Sequence, residues 1–149
     1  MSAPDGVRRP VPCVGVVCFR GGEVLLIQRG KEPRKGQWSI PGGRMEFGET
    51  AQAAALRELA EETGVVAEIL GLVDVIDSID LETDWHGVLV DYAARWAGGE
   101  AVAGDDAADA AFVPLAEALE RVGWSETRRV IEAAWERFGD KGCAEEATD

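Results

Sequence analysis

Three cysteines, one histidine and one tyrosine among 149 residues leave little material for thiolate or imidazole chemistry. Cys13, Cys18 and Cys143 are odd in number and form no Cys-x-x-Cys. This argues against a disulfide framework or a thiolate zinc site and fits reduced thiols in a cytoplasmic protein. His86 has no second His or Cys nearby and reads as structural. Long apolar runs are missing too. Val11 to Phe19 follows Arg8 and Arg9 but contains Pro12, leads into Arg20-Gly21-Gly22-Glu23, and is too short to span a bilayer. It reads as a buried strand, not as a leader or anchor. Basic residues are scarce: 15 Lys and Arg against 28 Asp and Glu give a net charge of −13. Such a surface repels nucleic acid and anionic membranes, so neither is expected as a partner. A small anion is compatible where cations bridge it.

What is present is globular. Hydrophobic residues make up 46% and charged residues 29%, at the length of one domain. The expected organisation is a loose arm over 1–9, a single domain over 10–140 and a frayed tail over 141–149. Val11 to Phe19 and Glu23 to Gln28 form a hairpin signal around Gly21-Gly22. A polar, basic loop from Gly30 to Gln37 precedes a short strand, Trp38 to Ile40, stopped by Pro41-Gly42-Gly43. Thr50 to Thr63 is the clearest helix, with Thr50 as cap and Gly64 as stop. Strand is expected over Val65 to Val75, a polar excursion over Ile76 to Trp85, and strand over Gly87 to Trp96. An acidic loop, Gly104 to Ala111, then leads to a short strand at Phe112-Val113. Helices are expected at Leu115 to Val122 and Thr127 to Phe138. Interleaved strands and helices predict an α/β (α+β) fold, a mixed sheet covered by helices.

One helix carries charges that folding alone does not explain. Glu58, Glu61 and Glu62 stand at i, i+3 and i+4, within about a 100° arc. Leu56 and Ala60 lie opposite Glu58 and look suited to packing on a sheet. Like charges at this spacing repel by about 0.2–0.5 kcal/mol per pair, and the last turns already carry the negative end of the helix dipole. Arg57 is the compensating cation within this cluster. A divalent cation removes the conflict, because converging carboxylates are the hard oxygen ligands that Mg²⁺ and Mn²⁺ prefer.

Gly43, Glu49 and Arg57-Glu58-Leu59-Ala60-Glu61-Glu62-Thr63-Gly64-Val65 resemble the signature of the Nudix hydrolase family, with no position out of place. Trp38-Ser39-Ile40-Pro41-Gly42-Gly43 is similar to that family's approach to the box, and the broader likeness runs from about Val11 to about Phe138. The resemblance implies the Nudix fold, a mixed sheet sandwiched between helices. It also implies Mg²⁺- or Mn²⁺-dependent hydrolysis of a nucleoside diphosphate linked to another group.

By that resemblance Glu58, Glu61 and Glu62 are metal ligands, joined by the backbone carbonyl of Gly42. Arg57 pairs with Glu49 or orients Glu58. The general base is a box glutamate, Glu58 or Glu61, or an acid on the later loop, Asp106 first and Asp105 second. Arg20, Arg29, Lys31, Arg34, Lys35 and Arg44 are the most basic stretch of the chain. Arg29, Arg44 and Asp105 are taken as substrate contacts. Asp74 to Asp77, Trp85 to Tyr92 and Gly104 to Asp106 look like small bacterial and archaeal members associated with ADP-ribose, which implies AMP and ribose 5-phosphate as products. Nucleoside triphosphate or dinucleoside polyphosphate hydrolysis is the alternative within the class, and a non-catalytic ligand-sensing module the alternative outside it. A homodimer is compatible with the resemblance, although the extra N-terminal strand domain of larger ADP-ribose-cleaving dimers is not seen.

Overall fold

The structure, a computed structural model, describes residues 7–32, 34–104 and 106–139. The expected tail over 141–149, Cys143, Asp105 and the first six residues of the expected arm lie outside the described residues. Ten elements follow in chain order: β1 (Val11–Arg20), β2 (Glu23–Arg29), β3 (Trp38–Ser39), β4 (Gly42–Arg44), α1 (Ala51–Thr63), β5 (Val66–Asp80), β6 (Trp85–Gly98), β7 (Ala107–Pro114), α2 (Leu115–Arg121) and α3 (Ser125–Phe138).

The strands form one mixed sheet in the order β3-β2-β1-β6-β5, with β4 added to β1 and β7 to β2. The β1–β6 pair is parallel and the others are antiparallel. Helix α1 covers one face over Val14, Val16, Cys18, Leu25 and Tyr92. Helices α2 and α3 cover the other over Val17, Phe19, Leu26, Val73 and Ala93. The alternation of β1 explains the sandwich: successive residues point to opposite faces, and both faces are buried, so the strand reads as a nearly continuous apolar run.

The β1–β2 hairpin is short in register. Only Phe19↔Val24 and Arg20↔Glu23 pair, around Gly21 at φ 59°. Nearer its start, β1 pairs with β4 instead, so two strands lie along successive parts of its one edge. Pro41-Gly42-Gly43, expected as a stop, therefore holds the start of a strand. Its glycines explain this: a Cβ on Gly42 would lie 2.2 Å from the Val14 carbonyl oxygen, so only a bare Cα rests there.

Three further expectations are corrected. Ile76 to Trp85 is not a polar excursion, because β5 runs to Asp80 and β6 begins at Trp85, leaving 81–84 as the turn. Strand pairing outweighs composition here, although most of the side chains over 77–85 meet water. The loop expected over Gly104 to Ala111 becomes strand at Ala107, since the buried run of β2 offers partners as far as Arg29↔Ala107. Leu56 and Ala60 are exposed and line an outward dent with Val65, Val66 and Ala67. The packing face of α1 is Ala54, Ala55, Leu59 and Thr63. Small alanines let the helix lie close to the sheet, which brings Glu58 and Glu62 to the margin of the buried face.

Candidate metal and phosphate centre

Helix α1 is held at both ends. The Thr50 hydroxyl accepts from the Ala53 N–H at 3.1 Å, and Gly64 closes the helix at φ 73°, donating to the Ala60 carbonyl. The loop after β6 is tied to the same helix end, where Val102 N–H donates to the Thr63 carbonyl and Gly104 N–H to the Glu62 carbonyl, both at 2.9 Å. The last turn of α1, which carries the carboxylates, is thus held in place by the backbone of the 102–104 loop.

Two of the carboxylates reach the Gly42–Gly43 turn. The Gly42 N–H donates to Glu62 Oε1 at 2.7 Å. The Glu58 carboxylate lies over the Gly43 Cα, where an added Cβ would meet Oε2 at 2.2 Å and Cδ at 2.5 Å. Gly43 therefore keeps open the space that Glu58 fills.

Arg57 organises the rest. Its Nε and Nη2 donate to Glu49 at 2.9 and 2.6 Å, a fork on one carboxylate. Nη1 donates to both oxygens of Glu61 at 3.0 and 3.2 Å and stands 3.4 Å from Glu58 Oε2. Nη2 also donates to the Arg44 carbonyl at 3.0 Å, joining the helix to β4. Glu46, 3.6 Å from Nε, completes the ring, and its own N–H donates to Glu49 Oε1 at 2.8 Å. The Arg57 hydrogen bond holds Glu49 below the usual carboxylate range, and the Glu49 bond in turn raises the Arg57 guanidinium.

Of the residues expected at the site, the structure brings together Gly42, Glu49, Arg57, Glu58, Glu61 and Glu62. Asp106 stands apart from Arg57: its carboxylate pairs with Lys31 Nζ at 2.7 Å, both side chains exposed, while its carbonyl accepts from the Gly30 N–H at 2.9 Å. Arg29 ends β2. Arg44 lies on β4 with its guanidinium 5.5 Å from the centre of the Trp85 ring. Asp105 is outside the described residues. Sequence reasoning passed over Glu46 and the buried Asp91. The signal for Asp91 was a single carboxylate within the otherwise apolar run from Gly87 to Ala94.

The donor set suits a hard divalent cation. Glu58, Glu61 and Glu62 supply carboxylate oxygens; four carboxylates, Glu46, Glu49, Glu58 and Glu61, surround one guanidinium, and Glu62 stands on the Gly42 amide. Among the described residues, no three acidic, His or Cys side chains close on a common point fit for an ion. Arg57 draws Glu61 aside and the Gly42 N–H holds Glu62. The residues fit such an ion in kind, and their resting partners are a guanidinium and an amide.

A mixed sheet between helices, with a carboxylate-bearing helix lying over a Gly-Gly turn, defines a class of fold and site. Residues 9–134 match the model of the NUDIX domain. The chain belongs to that family. It is 37% identical over 106 residues to an ADP-ribose pyrophosphatase of Methanocaldococcus jannaschii, covering 71% of this chain and 63% of that protein. It is 39% identical over 106 residues to a putative 8-oxo-dGTP diphosphatase 2 of Mycobacterium tuberculosis, covering 70% and 73%. Among solved structures, the NUDIX domain of Shewanella oneidensis NrtR complexed with ADP ribose superposes with a TM-score of 0.77 at 27% identity, over 91% of this chain and 92% of that one. The chain thus spans just under two thirds of the M. jannaschii relative. No helix among the described residues is long and apolar enough to cross a membrane.

Proposed function

We propose that this chain is a divalent-metal-dependent pyrophosphohydrolase that cleaves the diphosphate of ADP-ribose or a related nucleoside diphosphate sugar, giving AMP and ribose 5-phosphate from the former. The observation that carries the reading is the pair of contacts at the Gly42–Gly43 turn, Glu62 on the Gly42 amide and Glu58 over the Gly43 Cα. Glu58, Glu61, Glu62 and the Gly42 carbonyl would hold Mg²⁺ or Mn²⁺, which supplies charge neutralisation of the diphosphate and a lowered pKa for water. Arg57 fixes the carboxylates in place, as groups behind metal ligands do. Glu58 or Glu61 accepts the proton of the attacking water, or Asp106 does from the loop anchored beside Glu62. Arg29, Arg44 and Asp105 bind substrate. ADP-ribose is favoured by the names of the archaeal relative and of the NrtR complex, both of which refer to it.

The name of the mycobacterial relative favours a second reading, a nucleoside triphosphate substrate. Incubating the protein with ADP-ribose, nucleoside triphosphates and dinucleoside polyphosphates, with Mg²⁺ or Mn²⁺, and resolving the products separates the two. Release of AMP from ADP-ribose is the expected result. Tight binding without turnover of any of them would assign the chain to ligand sensing instead. The working form is taken as a cytoplasmic protein that binds a small-molecule substrate and neither nucleic acid nor membrane. Sedimentation would test the homodimer that the resemblance admits.

A further inference from the structure

Asp91 lies in the middle of β6 at 5% exposure, and no described residue donates a hydrogen bond to its carboxyl. It is flanked by Gly15 on β1 and Asp74 on β5. The carboxyl leans over Gly15, where an added Cβ would lie 2.2 Å from Oδ1 and 3.1 Å from Ile40 Cδ1. On its other side Gly15 pairs with Gly42. The Asp91 carboxyl therefore stands about one strand spacing, ~5 Å, along the sheet from the Gly42 backbone that Glu62 meets, on the face away from α1.

The groups that face Asp91 leave it unmatched. Arg129 of α3 donates to Asp74 at 3.0 Å and to Glu126 at 2.8 Å, while Cys13 of β1 is a buried thiol. No fully buried side-chain oxygen among the described residues lacks a partner, so an unpartnered Asp91 oxygen is one that reaches solvent. A carboxyl this deep, in contact with solvent only at its tip and unmet by the protein, calls for a partner.

We infer that the Asp91 carboxyl reads the nucleobase of the substrate and selects an adenine-type edge. This rests on the proposed nucleoside diphosphate substrate: phosphates at the Gly42–Gly43 turn leave the base, one ribose away, to lie across β1. A neutral carboxyl offers one O–H donor and one acceptor. On the edge that carries N7, adenine presents the complement, an amino donor beside a ring-nitrogen acceptor, whereas guanine presents two acceptors there. Burial, and then the neighbouring Asp74 carboxylate, push Asp91 up to about 7, which favours the neutral form that this pairing uses.

Binding of AMP and of GMP to the full chain by calorimetry tests the assignment without any turnover. The native protein should prefer AMP by about tenfold or more. Asp91→Asn, whose amide carries the same donor and acceptor, should keep that preference, and Asp91→Ala should bring the two affinities within about threefold. No preference in the native protein, or an unchanged preference in Asp91→Ala, would overturn it. If Asp91→Ala does not fold, Asp91→Asn decides by comparison at about pH 6 and about pH 8.5. The native protein should lose about tenfold more AMP affinity than Asp91→Asn over that span, and equal losses would overturn the assignment. AMP selectivity without hydrolysis of any diphosphate would reject the proposed reaction and leave the role of Asp91 standing.

Discussion

The carboxylates of α1 and the carboxylate of Asp91 stand near one glycine turn and are treated in opposite ways. Glu49, Glu58 and Glu61 gather around Arg57, and Glu62 accepts from the Gly42 amide. Asp91, on the other face of the sheet, is more deeply buried and has no such partner. The difference teaches that a chain with a net charge of −13 keeps its negative charge where opposite charge and amides meet it, and lets it relax toward the neutral acid where they do not. The first arrangement suits capture of cations and phosphate, and the second suits recognition of an uncharged edge.

The comparison is tested hardest by neutralising the metal-facing carboxylates. Glu58→Gln and Glu62→Gln should each lower the metal-dependent rate of ADP-ribose hydrolysis by about 10²–10⁴-fold, in the range of lost acid–base or metal-assisted catalysis. Their melting temperatures should hold or rise, since each removes a like-charge repulsion. Parental activity in the double variant would remove α1 from the site.

Asp91→Asn addresses the other half. The native-state value of Asp91, about 7, lies above the ordinary 3.8, so the folded state holds a proton that the unfolded chain gives up. In acid below 3.8 both states are protonated and the penalty is absent; it grows as pH rises through this window and levels off above 7. Unfolding in urea across that range should show Asp91→Asn matching the native protein in acid. Near neutrality it should exceed the native protein by a margin approaching about 4 kcal/mol. Parallel curves would mean that Asp91 titrates in the folded protein as it does in the unfolded chain.

Arg57→Ala leaves the α1 carboxylates without their shared guanidinium and should cost about 10–100-fold in kcat/KM. Arg57→Lys restores charge without the fork on Glu49 and should recover only part of it. Equal activity in Arg57→Lys and the native protein would reduce Arg57 to charge balance. The smallest effect is expected at the exposed Lys31–Asp106 pair. Lys31→Ala should leave the melting temperature close to that of the native protein, because an exposed ion pair contributes little. Asp106→Asn should do the same, so a fall in activity much beyond that of Lys31→Ala would mark Asp106 as the base.

The helix of the box was legible in the sequence because its signals are local: Thr50, Gly64 and the i, i+3, i+4 glutamates each act within a turn or two. What escaped depends on partners distant in the chain. The run of β7 back to Ala107 is set by its pairing with β2, and the length of the β5–β6 ribbon by a register that composition does not reveal. Leu56 and Ala60 face outward although they lie opposite Glu58, because the alanines at 54 and 55 admit a closer approach to the sheet than a leucine does. Asp91 escaped for the same reason: its meaning comes from Gly15, Ile40 and Asp74, which three separate segments bring to it.

The central claim, that the acidic face of α1 over Gly42–Gly43 is a cation and diphosphate centre, is tested most directly by calorimetric titration of metal-stripped protein with Mn²⁺ in the presence of a non-hydrolysable diphosphate. Saturable uptake in the native protein, lost in the Glu58→Gln, Glu62→Gln double variant while the fold persists, is the predicted result. Absence of uptake by the native protein, or the same uptake by both, would contradict it.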